Sequence, residues 1–224
     1  MSTVFVTATG TGVGKTFLTA ALIHQLRVRG EGVRALKPVV TGFDDDAAAE
    51  SDPVILLEAL GENISQGTIA AIAPFRYRAP LAPLMAARRE RRELDFAALV
   101  DFCRREQERR SALLIEGVGG VMVPLAGAKT VLDWIAALEC PAILVCGSYL
   151  GTLSHTLTAL EALARRGIEI TGIAVSESAG TNGGLEETAC VIREFAARPT
   201  FAVPRLAGPK AWARAPDLVG LLPG

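Results

Sequence analysis

The segment Thr3-Val4-Phe5-Val6-Thr7-Ala8-Thr9-Gly10-Thr11-Gly12-Val13-Gly14-Lys15-Thr16-Phe17 determines how the rest of the chain reads. Thr3 to Ala8 is rich in β-branched residues and predicts a strand. It runs straight into a glycine-rich loop. Phe17 to Arg29 follows with helical character, and Gly30 and Gly32 stop it. Gly14-Lys15-Thr16 matches the end of a phosphate-binding P-loop. The strict pattern places a glycine five residues before Gly14, where this chain has Thr9. The strand–loop–helix context, with Gly10, Gly12 and Gly14 in the loop, compensates. Glycines let backbone N–H groups turn inward around an anion. The following helix adds its positive end. Lys15 brings a point charge to the outer phosphates, and Thr16 Oγ can ligate Mg²⁺. The motif implies a bound nucleoside triphosphate and is silent on the fate of the phosphate.

Beyond this segment, five more strands are predicted at Val33–Lys37, Ala112–Glu116, Ala142–Cys146, Ile170–Val175 and Thr200–Val203. Several are apolar without alternation, as expected when helices cover both faces of a parallel sheet. Helical stretches separate them, which reads as repeated βαβ units. The stretch Asp95–Arg110 carries a core face at Phe96, Leu99, Val100 and Cys103, with Asp95 as its N-cap. The arginines there alternate with glutamates, so that face reads as solvated rather than as a basic patch. The fold class is α/β: a single P-loop NTPase domain over residues 1–224, mostly parallel sheet with helices on both faces. Ligands are expected outside the carboxyl ends of the strands.

The 224 residues are half hydrophobic and 21% charged, a globular composition long enough for a substantial core. The net charge of −1 argues against general affinity for nucleic acid or a membrane surface. The four cysteines form no C-x-x-C pair, and only two histidines exist. Neither a structural zinc site nor a disulfide framework is expected, and reduced thiols suit a cytoplasmic protein. No basic-then-apolar leader and no run of about 18 apolar residues appears.

Four further segments carry candidate chemistry. Lys37 ends the second strand on the P-loop rim, followed by Pro38-Val39-Val40-Thr41-Gly42. It is either a surface residue or a second cation for a transferring phosphoryl group. Asp52 precedes Pro53 at a helix start, which favours an N-cap over a Mg²⁺ ligand on position alone. Glu116 ends an apolar strand before Gly117-Val118-Gly119-Gly120 and is a candidate second carboxylate near the metal. Leu150-Gly151-Thr152-Leu153-Ser154-His155 opens an amphipathic helix whose free N–H groups could receive a carboxylate. His155 itself reads as structural.

Taken in this order, Thr7 to Thr16, KPVVTG at 37–42, IEGVGG at 115–120 and GTLSHT at 151–156 make the chain resemble the dethiobiotin synthetases of biotin biosynthesis. Phe75-x₄-Pro80-x₂-Pro83 and Asp133-Trp134 are also similar to that family, and the likeness spans nearly the whole chain. The resemblance implies a homodimer that joins CO₂ to 7,8-diaminopelargonate with ATP and Mg²⁺, through a carbamate and a carbamic-phosphoric anhydride. It assigns catalysis to Lys15 and Lys37. It assigns ATP to Gly12, Val13, Gly14, Lys15, Thr16, Phe17, Asp52, Glu116, Gly117, Val118 and Gly119, and on the base side to Ser176, Glu177, Pro204 and Arg205. Thr16, Asp52 and Glu116 are its metal ligands. Thr11, Thr41 and the turn Gly151, Thr152, Leu153, Ser154 are its substrate contacts, the turn acting across the dimer interface. Ser176-Glu177 departs from the asparagine that often reads the adenine. The alternatives are a P-loop switch ATPase of the partition or cell-division type, and a small-molecule kinase.

Overall fold

A computed structural model of the chain describes residues 3–109, 111–180 and 184–223. The predicted strands appear at β1 (Thr3–Ala8), β2 (Val33–Leu36), β5 (Ala112–Glu116), β8 (Ala142–Gly147), β9 (Ile170–Ser176) and β10 (Thr200–Val203). They form one six-stranded sheet in the order β10-β9-β8-β1-β5-β2, and every neighbouring pair is parallel. Short strands missed by the sequence reading make two small ribbons. β3 (Val39–Thr41) pairs in parallel with β4 (Phe75–Tyr77), and β6 (Pro124–Ala126) pairs antiparallel with β7 (Lys129–Thr130).

Among the described residues there are eight α-helices: α1 (Lys15–Val28), α2 (Asp52–Leu60), α3 (Gln66–Ile72), α4 (Pro83–Arg89), α5 (Phe96–Gln107), α6 (Val131–Leu138), α7 (Thr152–Arg165) and α8 (Leu185–Ala196). Asp95 caps α5 as expected, accepting from the Ala98 N–H at 3.0 Å. Leu99, Val100 and Cys103 of that helix are buried, and Arg110, the predicted end, lies outside the described residues. The helices pack in pairs, α1 on α2, α5 on α6 and α7 on α8. The apolar runs of β1 and β8 are buried nearly throughout, which is why they lack alternation.

The order of connections positions the site. From β1 the chain crosses to the edge strand β2 and returns to β5 beside β1. It then passes to the other side for β8, β9 and β10. The reversal falls at β1, and the crevice at its carboxyl end is where open α/β sheets receive ligands. Register brings the second carboxylate there, since Glu116 of β5 stands opposite Val6 of β1. Below it, fully buried Phe5 meets the Trp134 ring edge-on at 4.9 Å. Gly117 leaves room for that packing: a Cβ there would lie 2.8 Å from Phe5 Cε1.

Candidate active site

The P-loop turns into α1 at Gly14, whose φ of +98° is a left-handed conformation that favours glycine. A Cβ at Gly14 would also meet Ser176 Oγ at 2.7 Å, so the end of β9 lies against the loop. The glycine loop after β5 presses on the other side, where a Cβ at Gly120 would fall 2.9 Å from Thr9 O. Lys15 ties the two loops together, its Nζ donating to Gly10 O at 3.1 Å and to Gly119 O at 2.7 Å. Burial and the neighbouring Lys37 charge lower its pKa to about 8, against the opposing pull of Glu116 and Asp52.

Beside Lys15 lies a polar centre assembled from four elements. Lys37, at the end of β2, is 3% exposed and Glu116, at the end of β5, is fully buried. Their contact, Nζ to Oε1, is 2.6 Å. Lys37 Nζ also donates to Gly117 O at 2.9 Å and meets Asp52 Oδ2 at 2.9 Å. Thr16 Oγ1 stands 2.8 Å from both Asp52 Oδ1 and Glu116 Oε1. Burial works against the Lys37 charge, but Glu116 and Asp52 outweigh it and raise its pKa. Burial works against the Asp52 charge too, but Lys37, Thr16 and Lys15 outweigh it and lower its pKa.

The capping expectation for Asp52 is corrected by this geometry. Ser51 holds the N-cap position and Asp52 is the first residue of α2. Its carboxylate reaches Thr16 and Lys37 instead of a backbone N–H of its own helix. Lys37 is not the surface residue that its strand-end position allowed.

A cavity of about 420 Å³ opens over this centre. Its wall includes Thr11, Gly12, Gly14, Lys15, Thr16, Phe17, Lys37, Thr41, Asp52, Val118 and Gly119, all drawn from the residues predicted for the site. Thr41 reaches it because β3 pairs with β4, Thr41 standing opposite Tyr77. Of the base-side residues, Ser176 lies against Gly14 of the P-loop, and Glu177, Pro204 and Arg205 follow the ends of β9 and β10, where Glu177 Oε2 accepts from the Arg205 N–H at 2.8 Å. The turn at Gly151 is also separate. Thr152 is buried with its hydroxyl on Gly147 O at 2.6 Å, while Leu153 and Ser154 are exposed.

Sequence reasoning missed a second cavity of about 460 Å³, which shares Thr11 with the first. Val121, Met122 and Ala159 make its apolar wall, and His155 lies at its edge. Tyr149, which no motif singled out, brings its hydroxyl to 2.9 Å from His155 Nδ1. Apolar residues scattered over two segments carry no sequence signal for such a pocket.

The donor set suits a hard divalent cation. Three oxygen-bearing side chains, Thr16, Asp52 and Glu116, converge, and Glu116 Oε2 is buried with no hydrogen-bond partner. Among the described residues no three His, Cys, Asp or Glu side chains cluster as a cage of protein ligands. A cation bound here would therefore take its remaining oxygens from phosphate and water, which is the habit of Mg²⁺.

A parallel sheet with its topological reversal at a glycine loop ending Gly14-Lys15-Thr16, and with two carboxylates beside Thr16, defines a P-loop nucleotide-binding protein. Solved structures agree on the fold. Chloroplast FtsY from Physcomitrella patens matches 98% of this chain and 62% of its own, with TM-score 0.53 and 13% identity. The signal recognition particle receptor FtsY from Elizabethkingia anophelis, in complex with GDP, gives TM-score 0.52 and 18% identity, over 98% of this chain and 61% of its own. The family model described as an AAA domain matches residues 2–207. The ATP-dependent dethiobiotin synthetase BioD of Methylobacterium nodulans is 44% identical, covering 93% of this chain and 95% of its own. The protein of the same name from Caulobacter sp. strain K31 is 46% identical over 92% and 89%. The chain belongs to the ATP-dependent dethiobiotin synthetase family, an enzyme family of ligases.

Proposed function

We propose that residues 1–224 act as one domain that closes 7,8-diaminopelargonate and CO₂ into the cyclic urea of dethiobiotin, converting ATP to ADP and phosphate. The observation that supports this most is the placement of two buried ammonium groups, Lys15 and Lys37, on one cavity beside two carboxylates. Carbamate and γ-phosphoryl group are both anionic, so bringing them together requires cations at the meeting point. In this reading one amine adds to CO₂ and loses a proton to become a carbamate. A carbamate oxygen then takes the γ-phosphoryl group as the bond to the β-phosphate oxygen breaks. The second amine attacks the carbamate carbon, phosphate leaves, and that amine loses a proton as the ring closes.

Lys15, held between Gly10 O and Gly119 O, faces the outer phosphates. Lys37 serves the phosphoryl group and carbamate, and Thr11 and Thr41 hold the diamine end. Thr16, Asp52 and Glu116 would hold Mg²⁺, which when bound neutralises charge on the outer phosphates. Ser176, Glu177, Pro204 and Arg205 serve the base, on the side of β1 away from Glu116. We further propose a homodimer in which Gly151 to Ser154 receives the substrate carboxylate across the interface. Fully exposed Leu150, with Leu153 and Met122, supports an apolar contact there. Reduced thiols fit a cytoplasmic enzyme, and among the described residues no helix is long and apolar enough to cross a membrane.

The test is phosphate release with Mg²⁺ATP, with and without diaminopelargonate and bicarbonate, alongside mass detection. Release that needs both substrates, with a product heavier by CO₂ less water, is expected. Hydrolysis indifferent to the diamine, with no new mass, would overturn the reading.

A further inference from the structure

The ammonium of Lys37 stands among the oxygens that would hold the metal. Its three N–H donors meet three acceptors: Glu116 Oε1 at 2.6 Å, Asp52 Oδ2 at 2.9 Å and Gly117 O at 2.9 Å. Thr16 Oγ1 takes a second place on Glu116 Oε1 and lies on Asp52 Oδ1. Lys37 thus takes Glu116 Oε1 and Asp52 Oδ2, and the single Thr16 hydroxyl proton is shared between Glu116 Oε1 and Asp52 Oδ1. A divalent ion at the junction of Thr16, Asp52 and Glu116 would find Glu116 Oε2 without a partner, but it would share both carboxylates with the ammonium now on Glu116 Oε1 and Asp52 Oδ2. It would also lie a few ångströms from a unit positive charge in a buried setting, where repulsion is several times stronger than in water.

We propose that Lys37 is an internal competitor for the metal site, exchanged from the carboxylates of Asp52 and Glu116 into the cavity when Mg²⁺ and nucleotide load. The inference rests on the reading of Thr16, Asp52 and Glu116 as metal ligands. It adds an order of events to that reading. Before loading, Lys37 neutralises two carboxylates that would otherwise stand close together. After loading, those carboxylates belong to the metal, and the ammonium has Thr11 and Thr41 as neighbours on the cavity wall, where the substrate end is placed. Readiness of the lysine is thereby coupled to metal loading, and by linkage the coupling runs both ways: whatever holds Lys37 out of the carboxylates tightens the metal.

The test is Mn²⁺ binding to nucleotide-free protein, read by the free-ion electron paramagnetic resonance signal. Wild type would be compared with Lys37→Met, Lys37→Gln and Asp52→Asn, each checked for folding by circular dichroism. Removing the ammonium should tighten Mn²⁺ at least about ten-fold, because an opposing unit charge disappears from a poorly screened site. Asp52→Asn should weaken it. Affinity that falls in Asp52→Asn but is unchanged or weaker in the folded Lys37 variants would overturn the exchange and leave the metal ligands standing. Affinity indifferent to all three would overturn the exchange by removing the metal-ligand reading itself. Neither result depends on turnover of the diamine, so they are separable from failure of the proposed reaction.

A second measurement on wild type covers the case in which the Lys37 variants do not fold. The chain has four lysines, Lys15, Lys37, Lys129 and Lys210, and the last two are exposed. With ¹⁵N-lysine labelling, a buried, fully bonded Lys37 ammonium should give a slowly exchanging signal. That signal should shift and lose protection on adding Mg²⁺ with a non-hydrolysable ATP analogue. Persistence of the same protected signal in the loaded protein would overturn the proposal.

Discussion

Raising the pH from 7.5 to 9.5 should stabilise the nucleotide-free protein through Lys15. Burial and the Lys37 charge bring this ammonium from its ordinary 10.5 to about 8 in the folded state. The gap corresponds to about 3 kcal/mol of folding free energy opposed by a charge that the site keeps for its ligand. The sign follows from proton counts. Below about pH 8 Lys15 is charged in both folded and unfolded chains, and the whole cost is present. Between about 8 and 10.5 the folded chain has released its proton while the unfolded chain still holds one, so stability rises with pH. Above 10.5 both are neutral and the cost is gone. From pH 7.5 to 9.5 the gain works out at about 2 kcal/mol.

Urea unfolding at several pH values between 7 and 10 measures this, with Lys15→Met as the reference that lacks the titrating group. Buried thiols and other groups contribute to both profiles and cancel in the difference. The expected result is a wild-type slope steeper than that of Lys15→Met by about 2 kcal/mol over the interval. Added ATP analogue should flatten the wild-type slope, because phosphate oxygens hold the lysine proton to higher pH. Parallel profiles for the two proteins would refute the claim that Lys15 is a strained buried cation, and with it the idea that stability is surrendered for phosphate binding here.

Three other outcomes are expected. Lys37→Ala should lose turnover while retaining nucleotide binding, as titrated with a fluorescent ATP analogue; an equal loss of nucleotide affinity would make Lys37 a binding residue only. Gly117→Ala places a Cβ 2.8 Å from Phe5 Cε1, in a ring packed on Trp134, and should cost about 1–3 kcal/mol in urea unfolding. A loss below about 0.5 kcal/mol would mean that Phe5 shifts freely. Leu150→Glu charges a fully exposed leucine and should raise the dissociation constant of the proposed dimer, measured by sedimentation velocity; an unchanged constant would remove Leu150 from the proposed interface.

What could be read ahead of the structure follows from the range over which each determinant acts. The strands of the six-stranded sheet were legible because its central members, β8 most clearly, are covered on both faces and so read as nearly continuous apolar runs, a local property. The ribbons β3–β4 and β6–β7 were not: their strands are two or three residues long, too short for a pattern, and β3 also pairs with a segment far away in the chain. Asp52 marks the boundary most clearly. Its local setting, an acidic residue before proline at a helix start, is that of a cap, and the helix does begin there. Yet Ser51 takes the cap position, and the Asp52 side chain serves Thr16, 36 residues away, and Lys37. No periodicity encodes that contact. It arises because α2 packs on α1, and α1 starts at the P-loop. The Lys37–Glu116 pair, 79 residues apart in sequence, is likewise a product of register, since β2 lies beside β5 and both end at the same rim. Local chemistry singled out Glu116, left Lys37 open and read Asp52 as a cap. The crossing order of the sheet made them one site, and a resemblance carried by whole motifs could anticipate that order because it already contained the fold.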